Sequence, residues 1–503
     1  MNKQGFQIGG SLLARNTVLN FIGLSAPIFV ALLVIPYTIK GLGVDRFGVL
    51  SLAFLIVGYF SLFDIGLGRA TIKFVSEAFG RGDYGVMPAI IWTSLSIQLV
   101  LGVVGGAALF IFVPLIVGKL KIPVNLLSET KTSLYLLSLS LPIILCAANL
   151  RGALEAVQRF DLVNLIRVPA SSLILLLPVV GILVGYKLPG IISMVVVFRF
   201  VTLIIYLLFC FKVFPLLKLK IAIDRCFFSK LLTFGGWVTL SNVLVPILTT
   251  VDRIVIGGLI SMAAVTYYSV PCDAVLRLLI VPSAIILTLF PAFSSLSVVD
   301  KSMMKQVYVC GLKYTLIVLG PLITGVIVFA GPILSIWIDE EFAAKSSAIL
   351  QILAVGVLLN GLAQMSAGLL DGINKPDVRA KVFALIVPVY IALLLFFINY
   401  YGVVGAALAW TIKACMEFVI FSLVASALIK IDADIFKKEK FVQLISLFFM
   451  FSFFSLLMVF FHFNLKIQMS LMACLTVIFG TLIYKYVLSY RELAFLRRVV
   501  ACR

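Results

Sequence analysis

Nine charged residues stand inside stretches otherwise dominated by Leu, Ile, Val, Phe and Ala. The bases are Arg199, Arg253, Arg277, Lys313 and Lys413, and the acids are Asp64, Asp252, Asp273 and Glu417. A charge at the centre of a bilayer costs at least ~2.5–3.5 kcal/mol, so each must be paired, wetted or used. Asp273 and Arg277 are four residues apart on one helix, as are Lys413 and Glu417, so both pairs can neutralise themselves. Arg199 and Lys313 have no acid three or four residues away. Arg253 and its neighbour Asp252 point to different faces of their helix, and Asp64 sits at a span end, in FDIGLGRA, where it can cap or snorkel. The five bases are expected to line a water-filled cationic cavity that suits an anionic passenger. Asp64, Asp252, Asp273 and Glu417 are the candidates for ion coupling or for structural pairing. The aromatics Tyr59, Trp92, Trp237, Tyr267, Tyr268 and Trp410 are candidates for stacking on a passenger, or for packing and interfacial anchoring.

The elements that must hold these charges follow from composition. Of 503 residues, 63% are hydrophobic and 12% charged, with a mean hydropathy of +1.21. A soluble chain of this length needs far more polar surface. Apolar segments of about 20 residues, enough to cross a membrane, fall near 16–38, 47–67, 86–116, 133–150, 163–185, 190–211 and 231–259, then near 267–292, 308–330, 347–369, 380–399, 403–428, 441–461 and 468–488. The expectation is an all-α polytopic membrane protein of about 14 transmembrane helices. The polar opening MNKQGFQIGGSLLARN and the long apolar run after it do not read as a cleavable signal. With both termini on the inner side, the inner loops, tails and inner span ends hold 27 of the 40 Lys and Arg residues, the outer loops 8 and the span interiors 5. This asymmetry predicts cytoplasmic termini. It also explains most of the +19 formal charge, so no nucleic-acid partner is implied.

The chain repeats itself. GALEAVQRFD at 152–161 is echoed by GLLDGINKPD at 368–377, an offset of 216 (368 − 152). Pro27 and Pro246, Pro114 and Pro332, and Gly190 and Gly405 are offset by 219, 218 and 215. The unit is therefore six spans, used twice in parallel orientation, with two spans appended. It predicts an N-lobe over 1–215, a cytoplasmic linker over 216–230, a C-lobe over 231–430, and two further helices with a basic tail over 431–503. A passenger path between the lobes follows from that plan. Arg199 and Lys413 (413 − 199 = 214) fall at one level of the two lobes. In the two echoing connectors, Glu155, Arg159, Asp371 and Lys375 are candidates for helix-end salt bridges or a cytoplasmic gate.

The segment LGVDRFGVLSLAFLIVGYFSLFDIGLGRATIKFVSEAFGRGDY (42–84) resembles the second-span region of oligosaccharide flippases, the O-antigen type of polysaccharide biosynthesis protein. The plan of six, six and two helices resembles the wider superfamily that holds multidrug and toxin extruders and the lipid II flippase. The resemblance implies a transporter of the bacterial inner membrane that moves a polyprenyl-diphosphate-linked oligosaccharide from the cytoplasmic to the outer leaflet by alternating access. Lipid, that glycan and other membrane proteins of glycan assembly are the implied partners. Arg and Lys would offset the lost hydration of the diphosphate by charge-assisted hydrogen bonds.

Two other functions are weighed. A multidrug exporter for cationic drugs would favour an acidic cavity, against the five bases and four acids here. A membrane glycan polymerase would need catalytic acids in a sizeable loop. The longest outer loop, near 117–132, offers Glu129 alone, and the acids of WIDEEFAAK, Asp339, Glu340 and Glu341, read as a solvated rim. There is no Walker-type glycine loop, and the eight cysteines are scattered without a CxxC pair. The expectation is a transporter that is not an enzyme, with neither cofactor nor metal site.

Overall fold

The structure, a computed structural model, describes residues 30–60, 67–157, 159–219, 223–224, 227, 250–299, 301–373, 375–431, 433–461 and 464–488. Among the described residues every regular element is helical. Hydrocarbon offers no hydrogen bonds, so an apolar chain that crosses it must satisfy its amides within each segment, as a helix does.

The helices in chain order are α1 (Val30–Leu42), α2 (Val44–Phe60), α3 (Leu67–Arg81), α4 (Met87–Lys119), α5 (Leu127–Ser138), α6 (Ser140–Ala156), α7 (Phe160–Leu183), α8 (Leu188–Val213), the short α9 (Leu216–Leu219) and α10, described over 250–259. There follow α11 (Met262–Leu276), α12 (Ile280–Val299), α13 (Lys301–Val328), α14 (Ala330–Trp337), α15 (Glu340–Gly372), α16 (Pro376–Ile429), α17 (Ala433–Lys438), α18 (Phe441–Phe460) and α19 (Leu465–Leu482). Ten helical stretches among the described residues are long and apolar enough to cross a membrane. The 53-residue stretch Asp377–Ile429 counts as one of them but is broken at Gly402, whose φ of 57° and ψ of −134° lie outside the helical region. Exposed leucines and valines on α7 and α8, such as Leu165, Leu183 and Val197, suit contact with lipid tails.

Contacts divide the chain into two compact units, Met1–Thr266 and Tyr267–Arg503. Inside the first, small residues let helices approach closely. A Cβ at Gly102 of α4 would meet Pro142, and one at Gly106 would meet the Ser138 carbonyl. Both glycines seat the bend between α5 and α6. Gly48 lies against the Met262 carbonyl, the Thr266 hydroxyl donates to the Val44 carbonyl (2.7 Å), and Lys121 Nζ donates to the Leu259 carbonyl (2.6 Å). Those contacts hold the start of α11 to α2 and the end of α10 to the chain after α4. The outer loop expected near 117–132 is much reduced, because α4 runs to Lys119 and a 3-10 turn at Val124–Leu126 leads straight into α5.

The repeat reaches the backbone. Arg159 N–H donates to the Leu154 carbonyl (3.0 Å) and Lys375 N–H to the Leu370 carbonyl (2.8 Å). Leu162 N–H donates to the Arg159 carbonyl and Val378 N–H to the Lys375 carbonyl. Each bond recurs at an offset of 216 (375 − 159; 378 − 162), so the two connectors close their helices in the same way. Gly185 (φ 84°) and Gly402 (φ 57°), offset by 217 (402 − 185), place a left-handed residue in the matching turns.

Only glycine adopts the Gly402 backbone geometry without strain. Gly402→Ala should therefore destabilise the protein by about 1–3 kcal/mol, seen as a lower midpoint of thermal unfolding in detergent. An unchanged midpoint would show that this break is not a constraint.

Candidate functional site

The expected cations divide between the two units: Arg199 and Arg253 in the first, Arg277, Lys313 and Lys413 in the second. Arg199 projects from the middle of α8. Its Nη1 donates to the Ser140 hydroxyl (3.0 Å), a buried group at the bend between α5 and α6, and its guanidinium lies 5.9 Å from the centre of the Phe54 ring. It lines a cavity of about 470 Å³ that Arg151 of α6 and Arg167 of α7 also line. Arg151 and Arg167 are not among the sequence candidates, so sequence reasoning misses this grouping. The available signal was that Arg167 falls inside an apolar segment. Asp252 and Arg253 are both buried in α10, and the Arg253 amide donates to Asp252 Oδ1 (2.9 Å).

In the second unit Lys413 and Glu417 pair across one helical turn of α16 (3.4 Å), both almost wholly buried. Asn360 of α15 donates to Glu417 (2.7 Å), and Gln364 donates to Asn360 (3.1 Å). Lys413 Nζ lies 4.9 Å from the Trp410 ring centre and 5.6 Å from that of Tyr390. Two helices and two aromatic faces therefore hold this ion pair. Lys313 of α13 is fully buried, its Nζ 5.5 Å from the Tyr314 ring centre. Among the described residues no ion pair joins Asp273 to Arg277, where the chain tightens into a 3-10 turn over Arg277–Leu279. Asp64 lies outside the described residues, as do Trp237 and the side chain of Tyr59.

Connector charges find partners near themselves. Glu155 faces Arg151 (3.6 Å), Arg159 grips Asp161 with two nitrogens (2.9 and 3.0 Å), Asp371 accepts from Arg379 (2.6 Å) and Asp377 from Lys381 (3.2 Å). The hydrogen bond to Asp161 raises the Arg159 pKa above its ordinary value. Lys375 is exposed. Glu129, Asp339, Glu340 and Glu341 serve helix ends and helix contacts. Glu129 takes both nitrogens of Arg46 (3.0 Å each), tying α5 to α2. Asp339 caps α15 by accepting from the Phe342 amide (2.8 Å), and Glu340 and Glu341 occupy its first turn, where the helix dipole favours acids. Among the described residues no group of three His, Cys, Asp or Glu side chains is arranged to hold a metal. Trp92 donates to the Leu217 carbonyl, Tyr267 contacts Lys345, and Tyr268 and Trp410 are core residues.

Residues 13–297 match the model of a family described as polysaccharide biosynthesis protein. A putative O-antigen transporter of Shigella flexneri is 27% identical over 413 residues, covering 80% of this chain and 95% of that protein. The probable flippase AglR of Haloferax volcanii is 24% identical over 404 residues, covering 79% of this chain and 80% of the relative. Among solved structures, the lipid II flippase MurJ in an inward closed conformation superposes with a TM-score of 0.70 at 16% identity, covering 94% of this chain and 99% of that one. An inward-facing multidrug-resistance transporter of the MATE family superposes with a TM-score of 0.65 at 18% identity, covering 82% and 99%. At those identities the two structures speak to fold, and the all-α polytopic class is the expected one.

The buried pair makes a stability prediction. Glu417→Gln leaves Lys413 charged and buried without its anion, and should cost about 3–5 kcal/mol. The double change Lys413→Met with Glu417→Leu should recover most of that loss. Thermal unfolding in detergent reads both, and equal losses in single and double variants would mean that the pair is not the cause.

Proposed function

Because the chain belongs to the polysaccharide biosynthesis protein family, we propose that this multi-pass membrane protein is a flippase for a polyprenyl-diphosphate-linked oligosaccharide, an O-antigen unit or similar surface glycan. It works in the bacterial cytoplasmic membrane with both termini in the cytoplasm. It carries its passenger from the inner to the outer leaflet by alternating access of two six-helix lobes, 1–215 and 231–430, joined by the linker 216–230.

The observation that carries the reading is the presence of buried cations inside the membrane helices of a chain of this family. A diphosphate sheds its hydration only where charged donors replace it, and guanidinium and ammonium groups serve that purpose. Arg199, Arg253, Arg277, Lys313 and Lys413 are the cations assigned to the passenger. Asp252, Asp273, Glu417 and Asp64 are assigned to ion coupling or to holding those cations. The names of the two relatives, a putative O-antigen transporter and a probable flippase, support the same passenger class. Glu155, Arg159, Asp371 and Lys375 are assigned to an inner gate, in which the local ion pairs of the connectors exchange partners between lobes.

Deletion of the gene should make lipid-linked oligosaccharide accumulate inside the cell. The intact chain should reverse this, while Arg199→Gln and Lys313→Gln, at normal protein levels, should export glycan at least about tenfold more slowly. Full export by both variants would remove the cations from the mechanism. For the gate, Glu155→Lys should slow export, with partial recovery when Lys375→Glu is added. No recovery with any partner would count against an exchange between lobes.

A further inference from the structure

The cavity between α6, α7 and α8 is lined by Arg151, Arg167 and Arg199, and none of the described residues lining it is acidic. Its polar wall is completed by Ser171, Thr202 and Tyr206. The arginines stand at graded depth. Arg151 lies five residues before the end of α6 and Arg167 seven residues after the start of α7, roughly 8 and 11 Å along the axis at 1.5 Å per residue. Arg199 lies fourteen residues before the end of α8, roughly 21 Å from it. All three depths are measured from one side of the membrane, since Val157, Arg159, Val213 and Phe214 border a common pocket at these helix ends.

The guanidiniums are held in position. Arg199 donates to the Ser140 hydroxyl, Arg167 Nη2 to the Asn164 side-chain carbonyl (2.8 Å), and Arg151 faces Glu155 at 3.6 Å. Arg151 and Arg167 both lie within electrostatic reach of the Tyr206 hydroxyl. Arg151 is offset in part by Glu155, whereas Arg167 and Arg199 donate to neutral partners, so the lining carries net positive charge. Arginine's planar fork matches phosphate oxygens in pairs, and three forks can serve one diphosphate.

We propose that Arg151, Arg167 and Arg199 form a diphosphate-binding ladder within the first unit. It receives the headgroup of the lipid-borne passenger near the connector end and draws it toward the middle of the membrane. The assignment rests on the flippase reading above, and it adds Arg151 and Arg167, in one cavity with Arg199, to the passenger's contacts.

The test uses the full chain in nanodiscs and a fluorescent polyprenyl diphosphate as probe. Arg151→Gln with Arg167→Gln should weaken probe binding by at least about tenfold, the scale of one lost charged hydrogen bond. Ala170→Trp, which fills the cavity without altering charge, should do the same in a protein whose unfolding midpoint is unchanged. Phosphatidylglycerol should displace the probe poorly, and inorganic pyrophosphate should compete only at much higher concentration because it lacks the prenyl tail. Wild-type affinity in both folded variants would overturn the ladder while leaving the flippase reading intact. Displacement by phosphatidylglycerol at equal concentration would overturn the passenger assignment in favour of a general anionic-lipid site. Normal glycan export in a deletion strain, with no probe bound by the wild-type chain, would sink the flippase reading and the ladder with it.

Discussion

The cost of leaving a charge bare in hydrocarbon organises this protein. Each ionisable side chain placed in a span must find a counter-charge, an oriented dipole, an aromatic face or water. Lys413 illustrates how much structure one such group recruits. Glu417 neutralises it from the next turn, Asn360 and Gln364 orient the carboxylate from α15, and Trp410 and Tyr390 approach the ammonium with their rings. Uncharged polar groups follow a milder form of the rule. Thr71, Ser94 and Asn149, all fully buried, hydrogen-bond one another where α3, α4 and α6 meet. Polar contacts of this kind lock helices whose apolar surfaces alone would not distinguish a neighbouring helix from lipid.

The two echoing connectors share backbone geometry while the chemistry around them differs. The connector hydrogen bonds at Arg159 and Lys375, and the left-handed glycines at 185 and 402, are common to both. Arg199 and Lys413, offset by 214 in sequence (413 − 199), have different partners. Arg199 meets a neutral hydroxyl at the bend between α5 and α6, whereas α15 runs unbroken and meets the Lys413–Glu417 pair through Asn360. The first arrangement keeps a cation's charge largely available, and the second cancels it.

Charge at the ends of the apolar helices has a structural use. Glu129 is consumed by Arg46, and Asp339 by the first turn of α15. A catalytic reading of those acids fails because each already accepts hydrogen bonds that fix a helix end or join two helices. The fall of the chain within the polysaccharide biosynthesis protein family agrees with that reading.

Much of this was legible in one dimension. The apolar segments, the break near residue 402 and the echo of residues 152–161 at 368–377 follow from hydropathy, from glycine's tolerance of positive φ and from a constant offset, all of which are local or periodic properties. Pairing four residues apart was legible for Lys413 and Glu417, because an uninterrupted helix fixes that geometry. Among the described residues the same spacing gives no ion pair between Asp273 and Arg277, where a 3-10 turn that no residue pattern announces begins at Arg277. Only the tertiary structure decided which distant residues meet: Ser140 with Arg199, Asn360 with Glu417, Arg46 with Glu129, and Arg151 and Arg167 with Arg199 around one cavity. Hydropathy records how deep a residue lies, but the direction in which a helix turns its charges depends on packing against helices far away in the chain.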